Sequence, residues 1–539
     1  TIFRTKHVAK LERILPRFLV TRRWFGGKAR KILSTKIMET VPVAVDDSHA
    51  YLTIVQVTYS EGTPDFYNIP MAFAPAISEG EPDDDLQHVI ARVRIDGSES
   101  SVEGVLYDAL ADPRFCTELT RMVARRGSRK GVDGSVHGFT TRGFRQRVRA
   151  VADTVTPTVL KTEQSNTSVV YGDQLVMKLF RRLDEGVNPD LEVGRFLTER
   201  TGFAHTAPVA GALEYQRPRR DSMTLGIIHA YVINEGDAWR LTLDSLDQYF
   251  ERVSARADGQ EPIVHPWQHI VDALDLTLPV EAAEQIGVYL ESARTLGQRT
   301  AELHLALASQ TADPAFAPEP FTTMFQRSLY ESLRTRATET LRLLEKRVRY
   351  LPKAARPDAR RVLAARPQLR QRLREILDRR IRAQRIRGHG DYHLGQVLFT
   401  GKDFAILDFE GEPTRSLGER RLKRSPFRDV AGMLRSFHYA AMSALVGGGV
   451  RVGDVDLLEP WATSWYQWVS QVFLKSYVDT AGDAAFVPRA AEERRILLDY
   501  HVLNKAFYEL HYELNNRPEW VSIPLRGLVE LLPTSVPSP

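Results

Sequence analysis

Chemistry-bearing side chains gather in one stretch, His389-Gly390-Asp391-Tyr392-His393-Leu394-Gly395-Gln396, followed closely by Phe404-Ala405-Ile406-Leu407-Asp408-Phe409-Glu410. Asp391 stands between a glycine and an aromatic residue just after a basic helix end, where a loop exposes its carboxylate. Gln396 follows five residues on, within reach if the loop curls back. The apolar β-runs Val397-Leu398-Phe399 and Phe404-Ala405-Ile406-Leu407 flank Thr400-Gly401-Lys402-Asp403 and predict a hairpin. Its second strand brings Asp408 back beside Gln396. Two hard oxygen ligands close to a third carboxylate make a site for Mg²⁺ bound to phosphate oxygens. Any one of these residues alone reads as a loop cap or turn former; the ordered set with its hairpin is what points to chemistry.

The arrangement resembles the catalytic segment of the protein-kinase-like phosphotransferases, in the aminoglycoside and small-molecule kinase branch. That resemblance implies ATP and Mg²⁺ as cofactors, Asp391 as the base that orients the acceptor hydroxyl, and Asp408 as the metal carboxylate of an Asp-Phe-Glu triplet. Gln396 then fills the place of a metal-binding asparagine, with one methylene more. Such a site needs a phosphate-covering loop, a strand lysine and a helical glutamate upstream. Ser165-Asn166-Thr167-Ser168 is the phosphate-covering candidate; it lacks the glycine pattern, so hydroxyls, an amide and backbone N–H groups must serve. Lys178, in Leu175-Val176-Met177-Lys178-Leu179-Phe180, is the strand lysine, and Glu192, in a helix opened by Pro189, its candidate partner. Read without the resemblance, Glu192 is a first-turn glutamate favoured by the helix dipole. The strand Leu225–Ile233 then leads to a hinge, with backbone groups of Tyr231, Val232 and Ile233 meeting the adenine edge.

Further segments resemble the bacterial maltokinases: Arg22-Arg23-Trp24-Phe25-Gly26-Gly27-Lys28-Ala29-Arg30, Glu235-Gly236-Asp237-Ala238-Trp239, Leu296-Gly297-Gln298-Arg299-Thr300-Ala301-Glu302-Leu303-His304, and Lys505-Ala506-Phe507-Tyr508-Glu509-Leu510-His511-Tyr512-Glu513 with Asn516-Arg517-Pro518. The likeness runs in order from residue 12 to 530. It implies transfer of the ATP γ-phosphoryl group to the anomeric hydroxyl of maltose, giving maltose 1-phosphate in trehalose and glycogen (α-glucan) metabolism, with a trehalose synthase as fused domain or partner. Lys505, Tyr508 and Tyr512 share one helix face. On pattern alone the tyrosines pack in the lobe and Lys505 pairs with Glu509; with the resemblance they become a sugar platform. His393 either touches the sugar or braces the loop. Asp429 is expected to hold the loop through its backbone, and Trp461, Trp465 and Trp468 to pack helices. The rivals are a kinase of another sugar or amino sugar (glucosamine, an aminoglycoside) and a non-catalytic, pseudokinase-like partner of trehalose synthase.

The elements that must position these groups change character along the chain. Helical spacing covers residues 8–20, and β-rich runs cover Lys36–Val45, Ala50–Tyr59, Phe66–Phe73 and Val89–Ile95, with an acidic loop at Glu79–Asp85. A helix is expected over Val102–Val123, strands at Thr167–Tyr171 and Leu175–Phe180, and a hairpin tip at Gln216–Ser222. Helices dominate afterwards, at Ile286–Leu307, Phe325–Val348, Gln368–Arg385, Phe427–Leu445, Trp465–Val478 and Ala490–Asn515, with Pro-rich breaks at 351–367 and 533–539. The arginine-dense stretch Arg334–Arg387 carries a helical apolar stripe and acidic residues, so it reads as a solvated amphipathic face with a surface loop between two helices. The expectation is an α+β, bilobal protein-kinase-like fold: a cap domain at 1–100, a β-rich N-lobe with the ATP loop at 101–234, and a helical C-lobe at 235–539.

Composition sets the outer limits. At 539 residues, 43% hydrophobic and 26% charged, the chain suits roughly two to four packed globular units. The balance of 73 Lys+Arg against 68 Asp+Glu leaves +5, too little to point to nucleic acid or a membrane surface. One cysteine, Cys116, excludes an intrachain disulfide framework and suits a cytoplasmic location. No apolar run approaches the roughly 20 residues of a membrane span. The polar, basic Thr1–Lys10 segment reads as no secretory signal, and a first residue other than Met fits a processed start or part of a longer polypeptide.

Overall fold

The computed structural model describes residues 3, 5–46, 48–75, 88–96, 101–160, 165–255, 261–263, 265, 268–447 and 452–532. The acidic loop Glu79–Asp85 and the Pro-rich 533–539 segment lie outside the described residues. Two compact units result: Thr1–Thr201 with Ala207–Ile233, and Gly202–Thr206 with Asn234–Pro539. The first is β-rich and the second mostly helical, an α+β protein.

The first unit holds two seven-stranded antiparallel sheets. In one, Ser48–Tyr59 is the spine, paired with Ile32–Val45, Asp65–Asn68 and Met71–Pro75. The sheet continues through Ser101–Asp108 to Val89–Asp96, so it runs past residue 100. The helix expected over Val102–Val123 is therefore wrong in its first half. Gly104 and Leu106 are buried while Glu103 is exposed and Val105 and Tyr107 half-buried, the period-two pattern of a strand. The helix begins only at Pro113, whose fixed φ suits a first turn, with Asp112 capping it through Arg114 N–H at 2.9 Å.

The second sheet orders Ser128–Lys130, Ser135–Thr140, Val209–Gln216, Met223–Ala230, Leu175–Phe180, Asn166–Tyr171 and Thr158–Val159. One core of Val, Leu, Ile and aromatic side chains is shared by both sheets, including Val41 and Leu52 from the first and Val169, Met177 and Ile227 from the second. Two buried charges tie the sheets together. Glu39, on the long first strand, accepts from the N–H groups of Val132 (2.7 Å), Asp133 (3.0 Å) and Gly134 (2.8 Å) and from the Tyr215 hydroxyl (2.6 Å). Arg181 donates to Asp108 at 2.6 Å and Thr167 at 2.8 Å, and its guanidinium lies 4.9 Å from the Trp24 ring centre. The Arg22–Arg30 segment thus serves as an anchor: Phe25 stacks near Tyr67, Arg30 pairs with Asp65, and a Cβ at Gly27 would meet the Tyr59 hydroxyl at 2.4 Å.

The second unit holds long helices, Ala238–Ser254, Tyr289–Leu307, Thr323–Arg347, Phe427–Gly447, Val455–Ala481 and Ala491–Asn516, and the hairpin Val397–Phe399/Phe404–Ile406 packs against the first two. Three sequence expectations fail here for local reasons. The helix expected over Ile286–Leu307 begins only at Tyr289, because Gly287, with φ 78°, ends a preceding helix at Ile286. The break at 351–367 contains a helix, Arg356–Ala364, since Pro357 and Pro367 sit in helix first turns, where a missing N–H costs nothing. Gln368–Arg385 stops being α-helical at Arg374; Gln326 captures the Ile376 and Arg379 carbonyls and the Ile381 N–H, and Gln384–Arg385 pairs with Glu319–Pro320. Trp461, Trp465 and Trp468 are buried in helix packing, and Trp468 Nε1 donates to the Ile263 carbonyl at 3.0 Å.

Glu39→Ala would take the acceptor from three part-buried backbone donors and from the buried Tyr215 hydroxyl. A loss of roughly 3 kcal/mol is expected, read as a lower urea midpoint for the full chain; an unchanged midpoint would show the clamp to be energetically idle.

Candidate active site

The loop that carries Asp391 is pinned on all sides. Asp429, in the first turn of Phe427–Gly447, accepts the backbone N–H of His389 (2.7 Å, Oδ2) and of Gly390 (3.0 Å, Oδ1). The same Oδ2 lies 3.2 Å from His304 Nε2, whose Nδ1 lies 3.0 Å from the Tyr477 hydroxyl. Burial opposes the Asp429 charge, but His304, His389 and Arg428 hold its pKa well below the usual carboxylate range. The backbone approach is too close for a side chain at two points. A Cβ at Gly388 would lie 2.6 Å from Asp429 Oδ2, and one at Gly432 2.5 Å from the Tyr392 carbonyl. Tyr392 and Leu394 complete the anchorage through Thr300 (2.9 Å) and Ser436 (3.1 Å). The expected backbone role of Asp429 is therefore what the structure shows.

Asp391 faces Lys505, on the helix Ala491–Asn516, with Oδ1 to Nζ at 3.1 Å. This displaces the Lys505–Glu509 pair offered by helical spacing: Glu509 instead takes the buried Arg435 at 2.7 Å. The helix turns about 100° per residue, and its tertiary neighbours decide which charge meets which. Burial pushes Asp391 up, yet Lys505 and His393 keep it below the ordinary carboxylate value. Burial opposes the Lys505 charge, and Asp391, Glu412 and Glu509 outweigh it, raising the pKa. Burial pushes His393 down to about 4, so it is neutral at pH 7, and its Nδ1 accepts the Gly395 N–H at 3.1 Å.

Asp391, Glu412, Arg336, Arg428, Lys505 and Tyr508 line one narrow crevice of about 20 Å³, room for about one water. The Asp391 and Lys505 side chains remain 22% and 19% exposed, so solutes reach them at its mouth. Glu412 is buried and paired with Arg428 (2.9 Å) and Arg415 (2.5 Å). Burial works against its charge, but Arg428, Arg415 and Lys505 bring its pKa down to about 2. Tyr508 lies under two cations, Lys505 Nζ at 5.1 Å and the Arg336 guanidinium at 5.5 Å from its ring centre. Tyr512 is not part of this group; it is 42% exposed beside Arg517, one turn beyond.

The hairpin delivers Asp408 as its spacing predicted. Gln396 Nε2 lies 3.1 Å from Asp408 Oδ2, and the Gln396 carbonyl accepts the Leu407 N–H at 2.9 Å. His389 Nε2 lies 2.8 Å from the Leu407 carbonyl while its Nδ1 accepts the Asp391 N–H at 3.4 Å, joining the Asp391 loop to the end of the hairpin. Asp408 itself takes φ 65°, a left-handed conformation that side chains adopt at a cost. The donor set suits a hard cation: Asp408 offers carboxylate oxygens, and rotation of the Gln396 amide presents its oxygen to the same spot.

The first unit holds the upstream residues. Lys178 meets Asp190 at 3.1 Å, two residues before the expected Glu192 and buried where Glu192 is only half-buried. Asp190 is held by the Asn188 cap, whose Oδ1 accepts its N–H at 2.8 Å. Asn166, Thr167 and Ser168 are strand residues, not a loop, in register with Phe180, Leu179 and Lys178. Alternation puts Ser168 and Asn166 on the face of Lys178 and sends Thr167 to the other, where its hydroxyl serves the buried Arg181; Thr167 drops out as a phosphate contact. Ser165 precedes the strand and is exposed. The strand expected to reach Ile233 ends at Ala230, and the Tyr231 N–H donates to the Gln174 carbonyl at 2.9 Å, so that group is engaged within the unit; Val232 is half-buried and Ile233 exposed.

Four groups in these clusters escaped the sequence reading: Asp190, Glu412, Arg336 and Arg428. Only Asp190 carried a local signal, in the Asn188-Pro189-Asp190 helix opening.

Residues 277–411, spanning the Asp391 loop and the hairpin, match the phosphotransferase enzyme family, and residues 18–112 match the maltokinase N-terminal cap domain. A glucosamine kinase of Streptacidiphilus jiangxiensis is 24% identical over 378 residues, 69% of this chain and 72% of that protein. One of Mycolicibacterium smegmatis is 26% identical over 385 residues, 69% and 79% respectively. Among solved structures, a glucosamine kinase in complex with glucosamine, ADP and inorganic phosphate shares the fold, with TM-score 0.57 and 18% identity over 93% of this chain and 94% of that one. A second crystal form of glucosamine kinase gives TM-score 0.54 and 20% identity over 82% and 92%. The fold is kinase-like, and the segment with the Asp391 loop and the hairpin carries the phosphotransferase-family match. Over residues 18–112 the chain is similar to the maltokinase cap domain, and over residues 277–411 to the phosphotransferase enzyme family.

The Lys505–Asp391 pair carries a pH signature. With Asp391 as acceptor base, the acid limb of kcat/KM is expected below the usual carboxylate range, because Lys505 lowers the Asp391 pKa. Lys505→Met leaves burial unopposed by that ammonium, so the limb moves to higher pH; a limb that stays put would remove Asp391 from the titration.

Proposed function

We propose that this sugar kinase transfers the γ-phosphoryl group of ATP to the anomeric hydroxyl of maltose, giving maltose 1-phosphate. The observation that carries the neutral acceptor is electrostatic. Each carboxylate in the crevice is already matched: Asp391 by Lys505, Glu412 by Arg428 and Arg415, and Asp429 by His304 and two backbone N–H groups. An ammonium acceptor wants an uncommitted carboxylate, whereas a neutral polyol wants donors and an aromatic surface, which Lys505 and Tyr508 offer. The cap-domain match supports maltose in particular.

In this reading Asp391 accepts a hydrogen bond from the acceptor hydroxyl and aligns it for in-line attack. Its lowered basicity is tolerable because the loose transition state asks for orientation more than early deprotonation. His393, neutral, braces the loop end and keeps cationic charge away from the attacking oxygen. Lys178, steadied by Asp190, neutralises nucleotide phosphate, with Glu192 as auxiliary and Ser165, Asn166 and Ser168 as polar contacts. Val232 and Ile233 offer the backbone groups for adenine. Asp408 and Gln396 are the residues that would hold Mg²⁺, which when bound offsets the charge of the transferred phosphoryl group. Tyr512 extends the sugar platform outward. The domains are assigned as cap, N-lobe and C-lobe, the setting as cytoplasmic α-glucan and trehalose metabolism, and the partner as a trehalose synthase. Among the described residues no helix is long and apolar enough to cross a membrane.

The second reading is an amino-sugar kinase, favoured by the names of the relatives. ADP release with maltose, glucose, trehalose and glucosamine, with Mg²⁺ and then a chelator, separates the two. The expected result is a metal-dependent preference for maltose; a preference for glucosamine would select the second reading. Asp391→Asn should lower turnover by about 10²–10⁴-fold with ATP binding retained, and near-normal turnover would reject its role.

A further inference from the structure

Arg336, on the helix Thr323–Arg347, lines the same crevice as Asp391. The other cations there are committed: Lys505 to Asp391, and Arg428 with Arg415 to Glu412. Among the described residues Arg336 makes no ion pair; its guanidinium carbon lies 5.5 Å from the Tyr508 ring centre. Burial disfavours its charge, Glu412 and Tyr500 offset this only in part, and Arg415 and Arg428 add repulsion, so its pKa is lowered. A half-buried guanidinium held among other arginines is a costly thing to keep for packing alone, since a methionine would fill the space without the desolvation. What it offers uniquely is a rigid fork of donors over an aromatic face.

We propose that Arg336 is an acceptor-binding residue: its guanidinium donates paired hydrogen bonds to neighbouring hydroxyls of the sugar at the mouth of this crevice and, as an uncommitted positive charge, disfavours an acceptor bearing an ammonium group. The assignment rests on the sugar-kinase reading above. Vicinal hydroxyls present two acceptor oxygens at a spacing a planar fork can meet, and the Tyr508 ring beneath gives the C–H face of the sugar a surface. An ammonium at the same place would face Arg336 and Lys505 together, with both neighbouring carboxylates already paired.

The test uses the full chain, saturating ATP, and coupled ADP release with maltose and glucosamine as separate acceptors, for the wild type, Arg336→Gln and Arg336→Lys. Arg336→Gln should raise the maltose KM by about tenfold or more and reduce the maltose-to-glucosamine ratio of kcat/KM by a similar factor, with the ATP KM unchanged. Arg336→Lys keeps the charge but not the fork, so it should raise the maltose KM while still excluding glucosamine. Acceptor KM values and the acceptor ratio within twofold of wild type in both variants would overturn the assignment. Should Arg336→Gln fail to fold, shown by loss of the ATP-induced rise in Tm, an unchanged maltose KM in Arg336→Lys overturns it alone. A wild type that prefers glucosamine fells the maltose reading by itself, and that result is obtained before any variant is made.

Discussion

One buried carboxylate decides where Asp391 stands. Asp429 takes two consecutive backbone N–H groups from the Asp391 loop, and His304 closes the arrangement from a helix more than a hundred residues earlier in the chain. Buried N–H groups that lose their acceptor are costly, so the loop has little freedom to relax away from Asp429. Gly388 and Gly432 are small where the backbone meets that carboxylate and the Tyr392 carbonyl, which explains why the helix and loop can approach so closely. Precision at Asp391 is therefore inherited from packing several residues away.

The second organising constraint is charge pairing around a narrow crevice. Asp391 and Glu412 are both desolvated, and each is kept ionised by cations delivered from other elements: Lys505 from the helix Ala491–Asn516, Arg428 from Phe427–Gly447. Removing one partner of such a pair strands the other in low dielectric, so these contacts fix register between helices as well as chemistry. Strain is placed next to this set: Asp408 holds a left-handed backbone while His389 and Gln396 secure the carbonyl and N–H of the residue before it. A conformation of that kind persists only where its surroundings over-determine it.

In the first unit the same economy appears with different residues. Glu39 and Arg181 tie two sheets into one core, and the tryptophan-containing Arg22–Arg30 segment packs against that tie. One of the segments that resemble the maltokinases thus has a structural task. Lys178, by contrast, is held by Asp190 on a strand whose partner residue, Ser168, lies on the same face, so its chemistry is prepared locally.

The hairpin around Asp408, the Gln396–Asp408 approach, the strand lysine and the helical character of the second unit were all legible in the chain, because each depends on residues within a dozen positions of one another. Periodicity, turn chemistry and proline placement operate on that scale. Misreadings arose where two periods overlapped, as at Val102–Val123, or where a tertiary neighbour captured backbone groups, as Gln326 does beyond Arg374. The partner of Lys505, the matched charge on Glu412 and the entry of Arg336 were decided only by the folded chain. Those pairs join positions far apart in sequence, and a helix offers several faces to several neighbours; which face meets which is settled by burial of whole elements, not by any spacing along one of them.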